Sequence, residues 1–119
     1  KGKNHNHPAT RSFQAIRIHI NQELEHIHNV LESIFDVLTI GGRLQVISFH
    51  SLEDRVVKRF FKKHSTRPQI PRGLPVRDSE IESNIRFSLI GKAIKACASE
   101  LKGNPRSRSA VLRVAERTA

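Results

Sequence analysis

The 119-residue chain carries a net charge of +10, a single cysteine and a hydrophobic content of 37%. That length allows one small domain or part of a larger one. No apolar run is long enough to span a bilayer, the polar start KGKNHNHPAT has no apolar stretch of the signal-peptide kind, and lone Cys97 excludes an internal disulfide and suits a reducing cytoplasm.

The positive excess is concentrated in residues 51–77, with eight Lys/Arg against two Asp/Glu. An excess of that kind points to a polyanionic partner, most simply nucleic acid. The plainer alternative is a solvated, lysine-rich helix face that serves solubility.

In chain order, Phe13, Ile16, Ile20, Leu24, Ile27, Leu31, Ile34 and Leu38 recur every three or four positions. This spacing predicts one amphipathic helix from Thr10 to Leu38. Pro8 suits its first turn, and Gly41-Gly42 suit a left-handed C-cap. The short β-branched run RLQVISF, residues 43–49, reads as a strand buried on both faces, as in a parallel sheet. A second helix follows at once. Ser51 stands three residues before Asp54, close to a capping box. Leu52, Val56, Val57, Phe60 and Phe61 form its apolar face, opposite Lys58, Arg59, Lys62 and Lys63.

Residues 65–84, with three prolines and Gly73, are expected to form a surface loop. Ile85–Ile90 alternates like a half-exposed strand, residues 93–102 read as a short helix ended by Gly103-Asn104-Pro105, and residues 110–115 as a last strand. Three strands are too few for a wound sheet, and no GxGxxG or GxxxxGK[ST] loop is present. The whole chain, 1–119, therefore reads as a single partial domain, the second half of a doubly wound α/β unit.

Three motifs, in order, resemble one bacterial family: HPATRSFQAIRI from His7, GGRLQVISFHSLEDRVVKRFF from Gly41, and NPRSRSAVLRVAERT from Asn104. The family is the S-adenosylmethionine-dependent methyltransferase of the exocyclic amine of a cytosine in the decoding region of 16S ribosomal RNA, called RsmH or MraW. Ser12, Thr39-Ile40 and Ser107 depart from its usual residues, and residues 93–101 match least. The resemblance implies the C-terminal half of a Rossmann-like class I methyltransferase domain with an antiparallel closing strand pair. It also implies that residues 1–10 are the tail end of an inserted substrate domain or a linker. The donor, S-adenosylmethionine, would be bound mainly by a preceding N-terminal part, with no cofactor-binding residue in this stretch and no activity in isolation. The implied partner is 16S rRNA in the small ribosomal subunit, in the cytoplasm and not at a membrane.

In open α/β sheets ligands sit beyond the carboxyl ends of the parallel strands. Three polar clusters are expected on that rim: the start of the long helix with His7 and Arg11, the junction Phe49–Arg55, and the Asn104–Arg108 connection. A cytosine amine is a weak nucleophile whose attack needs orientation and hydrogen-bond acceptors. His50, Ser51, Glu53 and Asp54 have that chemistry, Phe49 could stack on a base, and Arg11, Arg55, Arg106 and Arg108 could hold phosphates. Each has a structural alternative. Ser51 and Asp54 would cap the helix, His50 would hydrogen-bond at the strand end, Phe49 would join the core, and Arg106 and Arg108 would pin a loop. No catalytic base is singled out. His5 and His7 have no third ligand nearby, so no metal is expected.

Two other functions remain open on residue chemistry: a non-enzymatic basic RNA-binding module, and a metal-dependent hydrolase using His50, Glu53 and Asp54. An unpaired apolar strand edge would also favour a homo-oligomer.

Overall fold

A computed structural model describes residues 7–67, 72–73 and 85–119. In order these form helix α1 (Thr10–Val37), strand β1 (Arg43–Ser48), helix α2 (Ser51–Ser65), strands β2 (Phe87–Leu89) and β3 (Ile94–Lys95), helix α3 (Ala98–Gly103), a 3-10 turn (Pro105–Ser109) and strand β4 (Val111–Arg117). The architecture is α/β with an antiparallel four-stranded sheet. β4 lies between β1 on one side and β2 and β3 on the other. Both β1 and β2 run antiparallel to β4 and are therefore parallel to each other.

Strand periodicity decides what faces the helices. On β1 the half-buried or buried positions are Leu44, Val46 and Ser48, and these pair with Ala115, Arg113 and Val111 of β4. The alternate positions Arg43, Gln45 and Ile47 are exposed and pair with Glu116, Val114 and Leu112. Arg43 and Glu116 form an ion pair at 3.5 Å across this outer face.

The core lies between the inner sheet face and the helix pair. Leu31, Val57, Phe60, Phe61, Phe87 and Ala115 are buried, and Ile27, Ile34, Phe35, Leu38, Leu44, Val46 and Val56 pack around them. Burying each of the large side chains contributes roughly 1.5–3 kcal/mol. The rings of Phe35, Phe60, Phe61 and Phe87 meet at centroid distances of 5.1–6.2 Å, in tilted and edge-on arrangements that suit aromatic quadrupoles. Arg117 ties the far end of this core. Its guanidinium donates to the carbonyls of Phe35 and Leu38, the last turn of α1, and stacks over the Phe35 ring. Those carbonyls would otherwise lack partners at the helix end.

Four sequence expectations need correction. The first helix ends at Val37 with extended Leu38 as its C-cap, so Gly41, at φ +85°, serves the turn into β1 rather than the helix terminus. Its N-cap is Ala9, which leaves Pro8 outside the helix, in a turn where Thr10 N–H donates to the His7 carbonyl. β1 is not buried on both faces: Ile47 is 60% exposed, because helices cover only one face of the sheet among the described residues. Residues 93–102 are not one helix, since Ile94 and Lys95 first pair with Leu112 and Val111 as β3. The expected loop 65–84 and the tail 1–10 lie largely outside the described residues.

Candidate nucleic-acid interface

The junction between β1 and α2 is built by a change of backbone period. β1 ends at Ser48, whose inward side chain is 3% exposed, and Phe49 and His50 carry the chain over the sheet edge. His50, with extended backbone, is the N-cap of α2, and its carbonyl accepts the first helical hydrogen bond from Asp54 N–H. The expected Ser51/Asp54 capping box is absent. Ser51 already lies inside the helix, and Glu53 instead reaches back so that its carboxylate accepts from Phe49 N–H at 3.4 Å. Glu53 and Asp54 still place negative charge in the first turn, and Lys62, Lys63 and His64 place positive charge in the last, both favourable to the helix dipole.

Asp54 is spent on a different partner. Arg113 grips it bidentately, Nε to Oδ1 at 2.7 Å and Nη2 to Oδ2 at 3.0 Å. The Arg113 hydrogen bonds hold the Asp54 carboxyl below the usual carboxylate range, against a smaller opposing effect of burial. The same bond raises Arg113 above the ordinary guanidinium value. The pair fastens α2 to β4 just inside the rim.

The two sequence clusters 49–55 and 104–108 meet at one end of the sheet. Ser48, the last residue of β1, pairs with Val111, the first of β4. Phe49 leaves the sheet where Ala110 enters it, with the 3-10 turn immediately before. Within that turn Ser107 is buried and its hydroxyl donates to the Asn104 carbonyl at 2.7 Å, which fixes the loop. Arg106 and Arg108, on either side of Ser107, are exposed, and their side chains make no hydrogen bond among the described residues. The loop is therefore pinned by a serine, and its two arginines face outward. His50, Ser51 and Arg55 are likewise exposed, and Phe49 is 50% exposed rather than packed in the core.

His7 and Arg11 are not brought into this group. α1 and α2 run side by side in the same direction, with Leu31 beside Val56 and Phe35 beside Phe60. At about 1.5 Å per residue, the first turn of α1 projects on the order of 20 Å beyond the first turn of α2. Residues 11–23 of that projection are all exposed. The His7 ring only accepts Ala9 N–H, at 3.2 Å. His19 pairs with Glu23 at 3.0 Å on the exposed helix surface.

Three residues escaped the sequence reading. Arg113 is one, although a cation between Val111 and Ala115 on the inward register of a strand signals a buried partner. His64 is another. Its ring sits 4.7–6.4 Å from those of Phe35, Phe60 and Phe87, its Nε2 has no partner among the described residues, and burial pushes its pKa down. The buried Ser48 Oγ also lacks a partner. No group of three or more His, Cys, Asp or Glu among the described residues could hold a metal ion, and none of the helices described is long and apolar enough to cross a membrane.

The sheet packs on two helices, and Arg55, Arg106 and Arg108 are exposed at one of its ends. Residues 1–118 match the model of the MraW methylase family, and the chain belongs to that family. Over 113 residues it is 58% identical to the ribosomal RNA small subunit methyltransferase H of Idiomarina loihiensis. That match takes in 95% of this chain and 36% of the relative, so the chain spans about a third of the length of the curated protein it resembles.

Proposed function

We propose that this chain is the C-terminal portion of an S-adenosylmethionine-dependent methyltransferase that modifies the exocyclic amine of a cytosine in small-subunit ribosomal RNA. Its role in that enzyme is to hold the RNA. The observation that carries the reading is the Ser48–Val111 pairing, which sets Phe49–Arg55 and the Arg106–Arg108 turn at one end of the sheet. The order β1-β4-β2, with an antiparallel strand between two parallel ones, supports a Rossmann-like closing half.

The described residues do not themselves fit a donor site. The rim has no glycine-rich turn, and its two carboxylates are engaged, Asp54 by Arg113 and Glu53 by Phe49 N–H. The methyl donor brings an electrophilic carbon. What this chain contributes is orientation of the acceptor: Arg55, Arg106 and Arg108 neutralise phosphates, exposed Phe49 offers a stacking face to an unstacked base, and His50 and Ser51 offer hydrogen-bond acceptors to an amine that gains positive charge as it attacks. A cytosine inside a duplex would have to be extruded to meet them.

Calorimetric titration of the full-length protein with S-adenosylmethionine, paired with radiolabelled methyl transfer to small-subunit RNA, tests this. Saturable donor binding and labelled N4-methylcytosine are expected from the full-length protein, and neither from the 119-residue chain alone. A full-length protein that binds RNA but no donor would make it an RNA-binding module instead.

A further inference from the structure

Away from the rim, a concavity opens between α2 and the turn that joins β2 to β3. Its volume is about 390 Å³, within the range of ~300–1,000 Å³ typical of small-molecule sites. Phe61, Leu89 and Ala93 supply an apolar lining, and Lys58, Lys62 and Lys92 stand at its walls. Lys58 and Lys62 are one helical turn apart on α2, so they share a face, and Lys92 lies across the opening on the β2–β3 turn. Among the described residues, none of the three lysines forms an ion pair with a carboxylate and no acidic side chain lines the pocket. Asp54, on which Lys58 acts electrostatically, is already held by Arg113.

An apolar floor with three ammonium groups at its walls matches one kind of ligand well: a flat, weakly polar ring carrying an adjacent anion. That is the chemistry of a nucleotide unit in single-stranded RNA, whose base takes the apolar lining and whose phosphates take the lysines. A structural role for the lysines would call for carboxylate partners in contact, and among the described residues none of the three is in an ion pair. We propose that this pocket holds a nucleotide of the RNA at a distance from the methylated base. The inference rests on the proposed RNA substrate and extends it to a second contact. Along α2, Lys58 and Lys62 lie about 10 and 16 Å beyond Ser51 at 1.5 Å per residue. A strand leaving the rim along this helix reaches the pocket directly.

The test is fluorescence anisotropy of the full-length protein with a labelled oligouridine over a series of salt concentrations. The pocket variant carries Lys58→Gln, Lys62→Gln and Lys92→Gln. A control loses the same charge through Arg43→Gln, Arg59→Gln and Lys63→Gln. The pocket variant is expected to bind on the order of tenfold more weakly, with the slope of log affinity against log salt reduced by about 2, as for three lost phosphate contacts on a single strand. The control should keep most of the affinity and slope. Equal losses in both variants, or none in the pocket variant, would overturn the assignment. Should the pocket variant fail to fold, photocrosslinking of wild-type protein with a thiouridine-substituted oligomer decides: adducts on the Leu89–Ala93 peptide support the pocket, and their absence defeats it. Lysine-dependent binding of an oligoglutamate peptide that oligouridine cannot displace would assign the pocket to an acidic protein segment. A wild-type protein that binds neither RNA nor methyl donor defeats the underlying function, whereas RNA binding indifferent to the pocket lysines defeats only this inference.

Discussion

Asp54 on α2 and Arg113 on β4 are 59 residues apart in sequence and joined by two parallel hydrogen bonds of 2.7 and 3.0 Å. Their side chains are about four-fifths shielded from solvent. Such fork-to-fork pairs combine charge with fixed geometry. The pair orients the first turn of α2, and with it His50, Ser51 and Arg55.

Replacing either member should therefore loosen the rim as well as the fold. Asp54→Asn or Arg113→Gln is expected to destabilise by about 1–3 kcal/mol, between the values for exposed and fully buried pairs. In a double-mutant cycle by urea unfolding, the double variant should cost clearly less than the two singles added. Additive losses would show that the pair carries no coupling. The pH dependence follows from the lowered Asp54 pKa. Above the unfolded carboxylate value, near pH 4, the contribution is fully present. As pH falls below that value and through the folded one, the unfolded state binds the proton first and the contribution is lost.

Gly41 and Gly42 should respond differently to the same substitutions. Gly41 has φ +85° and open space where a Cβ would stand. Gly41→Ala then costs roughly 1–2 kcal/mol of backbone strain, and Gly41→Asn recovers part of it, since asparagine tolerates that region. A Cβ on Gly42 would meet Leu38 Cδ1 at 2.7 Å and the Thr39 carbonyl oxygen at 2.9 Å. Gly42→Ala and Gly42→Asn should both destabilise, by about 1–3 kcal/mol, with no rescue by asparagine. Thermal melts of the four variants separate strain from steric exclusion.

His64 should make stability depend on pH near neutrality. Burial among Phe35, Phe60 and Phe87 lowers its pKa. Glu32 on α1 opposes that shift, and Lys63 on α2 and Arg86 beside β2 reinforce it. The folded state therefore takes up the proton less readily than the unfolded one. Stability is fully present above about pH 6.5, the unfolded histidine value, and falls as pH drops through the lowered folded value. His64→Leu should flatten urea midpoints measured between about pH 7.5 and about pH 5.5 relative to wild type. An unchanged slope would assign the effect to other histidines.

The edge of β1 opposite β4 bears no strand among the described residues. An apolar strand with an open edge tends to pair with another chain. Light scattering of the isolated 119-residue chain should show dimers or larger species that grow with concentration, and the full-length protein should not show this edge-driven association. A monomeric isolated chain at high concentration would mean that the edge is protected from within.

The helical and strand segments were legible because their periods are unambiguous. The stripe from Phe13 to Leu38 and the Val57, Phe60, Phe61 face led directly to α1 and α2. Local signals failed where tertiary pairing decided. Ile94 and Lys95 lie in a stretch that reads as helix, yet β4 offers them free hydrogen-bonding groups beyond β2. Ser51 and Asp54 have the spacing of a cap, but Arg113, invisible to local spacing, claims the carboxylate. At the rim, sequence order and strand direction were enough to bring Phe49–Arg55 and Arg106–Arg108 together. They could not give the overhang of α1, which leaves His7 and Arg11 beyond the sheet end because nothing described packs against that part of the helix.

The central claim is that the two clusters flanking the Ser48–Val111 pair grip the same RNA. Steady-state methyl transfer by full-length protein carrying Arg55→Gln, Arg106→Gln or both measures it most directly. The account predicts a KM for RNA raised several-fold by each change and further by the pair, with the dissociation constant of S-adenosylmethionine unaltered. An unchanged KM for RNA together with weakened donor binding would contradict it.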